Sequence, residues 1–525
     1  MLVTVTAVLA LLAQGAPGAR PSPSPRVDQA SPSAQRPGEA EARAAREREK
    51  EEPPVVTRHE LRLGGRVLRY TVTTGLMPLK DEAGETEADV FFMAYAAERP
   101  GGPEKQPLTF SFNGGPGSSS VWLHLGALGP KRVRMLEEGG MPAPPYELVD
   151  NDGTWLDLTD LVFIDPVGTG YSRPRKPELG RKFWGVEGDV ESIGEFIRLY
   201  LSRYERWGSP LFLVGESYGT TRAAGLAGHL ADRGVAFNGI MLVSAILNFQ
   251  TARFTRGNDL PYPLFLPTYT ATAWYHRRLP ADLQARPLRA VLDEVERWAS
   301  ADYPAALARG DALQGAERAA VTDRLARYTG LDREFVEEND LRIAIQRFCK
   351  ELLRDRRRTV GRLDSRFTGI DPTAAGERPG YDPSLAAIRP PYTATFNDYV
   401  RRGLGYKTDR TYYILGGGIG SPWDWGTSNA FADVSEPLRS ALAKNPAMRL
   451  FVASGYYDLA TPYFATEYTL SHLGLDPTQR ASVATAEYEA GHMMYISERE
   501  LARLKADVAA FLEGALSPAP SDLRR

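Results

Sequence analysis

The sequence predicts an α/β protein with a mostly parallel central sheet flanked by helices, and two observations carry that prediction. Short apolar runs of strand length alternate with helical patterns along much of the chain. One such run, Leu211 to Val214, passes through Gly215-Glu216-Ser217-Tyr218-Gly219 straight into the small-residue helical stretch Thr220 to Leu230. Taken in order, His59–Leu63 and Arg66–Thr73 alternate like a hairpin across Gly64-Gly65. Val90–Tyr95, Leu108–Phe112 and Leu161–Ile164 read as further strands. Val186, Val190, Ile193, Ile197, Tyr200, Leu201 and Tyr204 recur at helical spacing, so an amphipathic helix precedes the run at 211. Ile240–Ala245 is the next buried strand.

Between about 248 and 413 the texture changes. Val291, Val295 and Trp298 share one helix face, as do Leu341, Ile345 and Leu352, while strand-like runs are scarce and Pro-rich loops break up the segment. A largely helical insertion is therefore expected over about 250–410, and the sheet resumes at Arg449–Ala453 and Ser482–Ala486. The aromatic loop Ile414 to Trp425 is expected to pack the insertion on the sheet, with lining the entrance to a site as the alternative.

At 525 residues the chain exceeds one ordinary compact domain, and its 43% hydrophobic and 25% charged content is that of a soluble globular protein. Leu2 to Ala13 is apolar and Ala13-Gln14-Gly15 offers small residues for cleavage. Residues 1–15 thus read as a signal peptide, with export to a periplasm or beyond, and no integral membrane segment is expected in the mature chain. Residues 16–54, Pro/Ser-rich and then densely charged, read as a disordered linker, 55–515 as the catalytic domain and 516–525 as a disordered tail. A formal net charge of −3 gives no reason to invoke nucleic acid. The one cysteine, Cys349, excludes an intramolecular disulfide and a cysteine-built metal site, and it reads as a buried apolar residue in the helical run Leu341–Leu353. With no phosphate loop and no His pair at ligand spacing, no cofactor or metal is expected. Oligomeric state is not legible.

The pentapeptide at 215–219 has the form Gly-x-Ser-x-Gly, with a strand before it and a helix after it. A serine hydroxyl is a weak nucleophile and has to be presented on a sharp turn where a base can take its proton. Ser217 is the expected nucleophile. Leu450–Ala453 runs into Ser454-Gly455-Tyr456-Tyr457-Asp458, which places a carboxylate after a late strand, and the last strand region ends at Glu489-Ala490-Gly491-His492. The order Ser217, Asp458, His492 is that of α/β-hydrolase triads, with Asp458 fixing the tautomer of His492 and His492 deprotonating Ser217. Of the six histidines only His472 competes, and it falls in the helical stretch 464–473.

Phe110-Ser-Phe-Asn113-Gly-Gly-Pro-Gly-Ser-Ser-Ser120 follows a strand with a run of glycines whose backbone N–H groups are free to meet an oxyanion. This segment, Asp165-Pro-Val-Gly-Thr-Gly-Tyr-Ser172, Gly215 to Gly219, Ser454 to Asp458 and Ala490-Gly-His492 together resemble the serine carboxypeptidases, peptidases with the α/β-hydrolase fold. The resemblance covers most of 55–512, less closely in the insertion. It implies release of carboxyl-terminal amino acids from peptides through an acyl-enzyme on Ser217. It further implies an oxyanion hole from the N–H groups of Gly115 and Tyr218, and a substrate carboxylate held by Asn113, Gly114 and Glu216. A glutamate facing a carboxylate must be protonated or it repels.

Two departures stand out. The signature's usual cysteine is Ser118, and the family's second glutamate, partner of the first, falls on Ala127. Glu216 is therefore expected to act alone, with a preference for free carboxyl termini that is weaker or less confined to acid. An esterase or acyltransferase on the same scaffold is the alternative activity.

Overall fold

A computed structural model describes residues 52–517. The expected signal peptide, nearly all of the linker and most of the carboxyl-terminal tail lie outside the described residues. Nine main strands build the sheet: β1 (Val55–Leu63), β2 (Arg66–Lys80), β3 (Thr86–Ala97), β4 (Leu108–Phe112), β5 (Asp160–Ile164), β6 (Leu211–Glu216), β7 (Gly239–Val243), β8 (Arg449–Gly455) and β9 (Val483–Tyr488). Their spatial order is β1-β2-β3-β5-β4-β6-β7-β8-β9, with the short segment Arg173–Pro174 beside β3. β1 to β3 form an antiparallel meander joined antiparallel to β5, and every pair from β5 to β9 is parallel. The mostly parallel sheet expected from the sequence is present, and the hairpin across Gly64-Gly65 is longer than the alternation alone marked.

The parallel strands, apart from the partly exposed edge strand β9, are apolar on both faces because both faces are covered. Phe212 and Val214 of β6 point into one hydrophobic cluster, Leu211 and Leu213 into the other, and β7 repeats this with Met241 and Val243 against Ile240 and Leu242. Helix α1 (Val186–Arg203) precedes β6 and buries Val190, Ile193, Phe196, Ile197, Tyr200 and Leu201, close to the face read from the sequence. Helix α2 (Tyr218–Ala231) leaves β6 at once and is nearly all buried, which is why its residues are so small.

The segment between β7 and β8 holds helices α3 (Pro261–Tyr275), α4 (Leu288–Ser300) and α5 (Gly315–Thr329) around a third cluster that includes Tyr269, Val295, Trp298 and Phe348, and helix α6 (Pro383–Asp398), whose Ile388, Tyr392 and Phe396 join the cluster of Phe212 and Val214. Two expectations need correction. The helix around Cys349 runs only from Ile345 to Glu351: Asp340 and Leu341 have φ of 49° and 63°, so Leu341 is buried by a loop and not by helical periodicity. Several prolines read as loop breakers lie in helices. Pro261 and Pro263 open α3, where a missing N–H donor costs no intrahelical hydrogen bond, and Pro267 sits inside it, held by burial on all sides. Cys349 itself is buried, and burial raises its thiol pKa. Among the described residues no helix is long and apolar enough to cross a membrane.

Candidate active site

Ser217 stands between the end of β6 and the start of α2 at φ 60°, ψ −129°, a conformation a non-glycine residue adopts only when its surroundings impose it. The sequence allows the turn through its two glycines: a Cβ on Gly215 would lie 2.1 Å from the Gly219 carbonyl oxygen, and one on Gly219 would lie 2.8 Å from the Phe112 carbonyl oxygen. The Ser217 amide donates to the Val243 carbonyl at 3.0 Å, which ties the turn to β7. The side chain is left partly exposed at the carboxyl ends of the strands.

Asp458 follows β8 and His492 follows β9, and the structure brings them together although 34 residues separate them. His492 Nδ1–H donates to Asp458 Oδ2 at 2.7 Å. The same oxygen accepts from the Thr461 hydroxyl at 2.7 Å, while Oδ1 accepts the amides of Ala460 and Thr461 at 2.7 and 3.1 Å. A fully buried carboxylate is thus held by three donors besides the imidazole, and its remaining pull is on His492. Burial disfavours the His492 cation, but the charge and hydrogen bond of Asp458 outweigh it, and His492 lies above the usual histidine pKa. Its backbone is fixed as well: the N–H donates to the Leu363 carbonyl at 2.6 Å and its carbonyl accepts from the Ser244 hydroxyl at 2.7 Å. His472 caps the exposed end of the helix Tyr463–Ser471, far in the chain from any strand-end carboxylate role.

Ser217 and His492 line one cleft of about 180 Å³ together with Asn113, Gly114, Gly115 and Glu216. Gly114 lies directly on the start of α2, since a Cβ there would be 2.4 Å from the Tyr218 nitrogen and 2.5 Å from that of Gly219. Tyr218 is the first residue of that helix, so its N–H has no intrahelical acceptor and carries the positive end of the helix dipole. Asn113 Oδ1 accepts the Leu123 amide at 3.0 Å, and its Nδ2 is buried without a hydrogen-bond partner among the described residues. An unpaired buried donor costs roughly 1–3 kcal/mol, a cost that a bound acceptor would remove.

Glu216 is buried, and Tyr495 donates its hydroxyl to Glu216 Oε2. Burial pushes the Glu216 carboxyl up to about 7, against the lowering pull of His492 and Tyr495. Near neutral pH the group is therefore poised between acid and anion.

Residues 67–258 match the model of the serine carboxypeptidases. That span belongs to the serine carboxypeptidase family. It includes Asn113 to Ser120 and Ser217, and it stops before Asp458 and His492. Two Arabidopsis thaliana proteins, serine carboxypeptidase-like 5 and serine carboxypeptidase-like 13, are 30% and 31% identical to the chain over 153 residues. Each match takes in 27% of this chain and 33% or 34% of the relative, so the chain spans about a third of the length of the curated relatives it matches. The crystal structure of Kex1(delta)p, a prohormone-processing carboxypeptidase from Saccharomyces cerevisiae, superposes with a TM-score of 0.52 at 16% identity, covering 84% of this chain and 91% of that one. The fold is that of the α/β hydrolases.

Against the serine carboxypeptidase pattern, the place of the missing second glutamate is informative. Ala127 is fully buried in the π-helical turn His124–Leu128, and its carbonyl accepts from Asn151 Nδ2 at 2.8 Å. A Cβ on the adjacent Gly126 would strike the Tyr495 ring at 2.4 Å and the Tyr392 hydroxyl at 2.7 Å, so these two tyrosines occupy the space beside Glu216. The hydrogen-bond partner of Glu216 is a phenol, that of Tyr495.

Sequence reasoning missed Tyr495, Thr461 and Arg362. Thr461 carried a signal, because a threonine three residues after an aspartate in a turn commonly returns a hydrogen bond to it. Tyr495 stands three residues after His492, but nothing in the sequence joins it to Glu216, 279 positions away. Arg362, which lines the cleft from the helical insertion, carried no signal. The loop 414–425 does pack, with Trp423 and Trp425 edge-on to Tyr218, yet it also supplies Leu415 to the cleft.

Proposed function

We propose that this protein is a serine carboxypeptidase that releases carboxyl-terminal amino acids from peptides. The carrying observation is that one cleft holds two sets of groups side by side. Ser217 and His492 suit acyl transfer, and Asn113 and Glu216 suit recognition of a carboxylate next to it.

In this reading His492 removes the Ser217 proton as the hydroxyl attacks the scissile carbonyl, and Asp458 keeps Nδ1 protonated and stabilises the imidazolium. The N–H groups of Gly115 and Tyr218 receive the developing oxyanion. His492 then gives its proton to the leaving amine, and water releases the acyl group from Ser217 by the same steps in reverse. The substrate carboxylate accepts from Asn113 Nδ2, the Gly114 amide and protonated Glu216. Glu216 works when neutral, because a second anion in a buried site repels the substrate. A proton on Glu216 also eases deprotonation of His492, since the Glu216 charge is one of the terms that raises the His492 pKa. The active form therefore carries its proton on Glu216 and leaves His492 free to act as base. Export is part of the proposal and rests on the apolar segment Leu2 to Ala13.

Mass-spectrometric readout of a peptide library tests the reading. Stepwise loss of carboxyl-terminal residues, absent for amidated peptides at mildly acidic pH and absent in Ser217→Ala, is the expected result. Internal cleavage, or turnover of activated esters with every peptide intact, would sink it in favour of an endopeptidase or an esterase.

A further inference from the structure

A second cleft, of about 270 Å³, opens on the other side of Ser217 and shares Gly115, Ser217 and Arg362 with the first. Its walls include Arg253, Phe249 and Trp425, and no aspartate or glutamate lines it. Arg253 belongs to this cleft alone and lies 4.9 Å from the centroid of the Trp425 ring and 5.4 Å from that of Phe249. The two rings, tilted 58° to each other, flank the guanidinium without using its N–H donors. Arg362 makes no side-chain hydrogen bond or ion pair among the described residues, and Arg253 makes only its ring contacts. Most other arginines near the site are tied up: Arg222 with Asp189 and the Asn113 carbonyl, and Arg366 with Asp364.

Two free cations beside a nucleophile, with no anion in the same wall, call for an anionic group from outside. If the leaving residue occupies the first cleft next to Asn113 and Glu216, the residue that stays on Ser217 as the acyl group extends into the second. We infer that Arg253 and Arg362 select peptides whose penultimate residue, the one donating the scissile carbonyl, carries a carboxylate side chain, aspartate or glutamate. A guanidinium offers paired N–H donors that match a carboxylate in both charge and shape, so Arg253, fixed by its aromatic partners, is the better placed of the two for a bidentate contact. This inference rests on the carboxypeptidase reading for which cleft takes which residue, and its test separates the two.

The test measures kcat/KM for N-acyl-X-Leu peptides with free carboxyl termini, and for N-acyl-X p-nitrophenyl esters, where X is Glu, Gln, Lys or Ala. Glutamate and glutamine have nearly the same size, so their ratio reads charge. The ester has no terminal carboxylate, so it reads the acyl pocket whether or not peptides are cleaved. The expected result is a preference for Glu over Gln of about tenfold or more in both series, with Lys lower still. High salt should shrink that ratio. R253E should reverse the order of Glu and Lys, and R362E should move it the same way. Turnover of the Lys substrate by either variant shows that it is folded.

Equal rates for Glu and Gln in both series, or unchanged ratios in both folded variants, overturn the acidic pocket even if peptides are trimmed. A Glu preference in the esters with all peptides intact supports the pocket and removes the carboxypeptidase reading. Inertness toward both series overturns both.

Discussion

At the scale of single residues, the site separates a nucleophile from a recognition group that sits next to it in sequence. Ser217 and Glu216 are neighbours, yet the elbow turns one side chain into the cleft mouth and leaves the other buried against Tyr495. Ser217→Ala should lower kcat by about 10⁴–10⁶-fold and abolish labelling by a fluorophosphonate, while melting stays near that of the parent. Labelling that persists in the variant would mean that another residue is the nucleophile. Tyr495→Phe removes the hydroxyl that helps hold the Glu216 anion, so the Glu216 pKa should rise and activity on free-acid peptides should persist to higher pH than in the parent. A profile moved toward acid would contradict the role given to Tyr495. The variant should also lose roughly 1–3 kcal/mol of stability, the usual cost of leaving a buried polar group short of a partner.

At the scale of elements, the close packing of β6 on α2 leaves no room for a side chain at Gly215. Gly215→Ala should therefore destabilise by at least about 1–3 kcal/mol and cost activity together with stability, as chemical denaturation and kcat on the same preparation would reveal. A variant as stable and active as the parent would show that strand and helix can separate. Such features were legible beforehand because they are local. A strand, two glycines and a small-residue helix are contiguous, and the apolar runs of β4 to β8 are continuous for the same reason that both sheet faces are covered. What the sequence did not disclose was pairwise. The Leu341 and Ile345 spacing imitated a helix because a loop residue with left-handed backbone is buried as deeply as a helical one. Pro267 looked like a breaker although surrounding side chains hold it in α3. Tyr495, Arg253 and Arg362 gain their meaning from groups that only the folded chain brings near them.

The strand end after β5 shows how an element can carry a pH signature. Asp165 is fully buried, accepts the Ser120 amide at 2.8 Å through Oδ1, and has no hydrogen-bond partner for Oδ2 among the described residues. Burial pushes its carboxyl up to about 7. The folded protein thus holds this proton more tightly than the unfolded chain does. The associated stability is complete below the ordinary aspartate pKa and is lost as pH rises toward and through 7. Asp165→Asn should flatten that part of the stability profile and exceed the parent above neutral pH, by on the order of a few kcal/mol at most. Parallel profiles for the two proteins would show that Asp165 ionises normally.

At the scale of the whole molecule, β6, β8 and β9 deliver serine, aspartate and histidine to the carboxyl ends of a parallel sheet, and the helical segment between β7 and β8 lends Arg362 to the same place. Chemistry therefore resides in the sheet, and selectivity in what is inserted into it. This division explains why the triad and the groups beside it could be named from motifs, whereas Arg253 and Arg362 could not. It also locates the departure from the family pattern: with Ala127 where a second glutamate is expected, the proton needed to meet a substrate carboxylate rests on Glu216 alone, favoured by burial and opposed by the Tyr495 phenol.

That claim is tested most directly by the ratio of kcat/KM for a blocked dipeptide to that for its amide, followed across pH in the parent and in Glu216→Gln. Ser217 and His492 enter both reactions equally, so the ratio isolates Glu216. Because Glu216 is neutral below its raised pKa, the parent should favour the free acid at acidic pH and lose that preference as pH rises through about 7. Glu216→Gln, which cannot ionise, should hold a ratio independent of pH. A parent ratio already flat across that range, or an unchanged descent in Glu216→Gln, would contradict the assignment of Glu216 as the group that reads the substrate's carboxyl terminus.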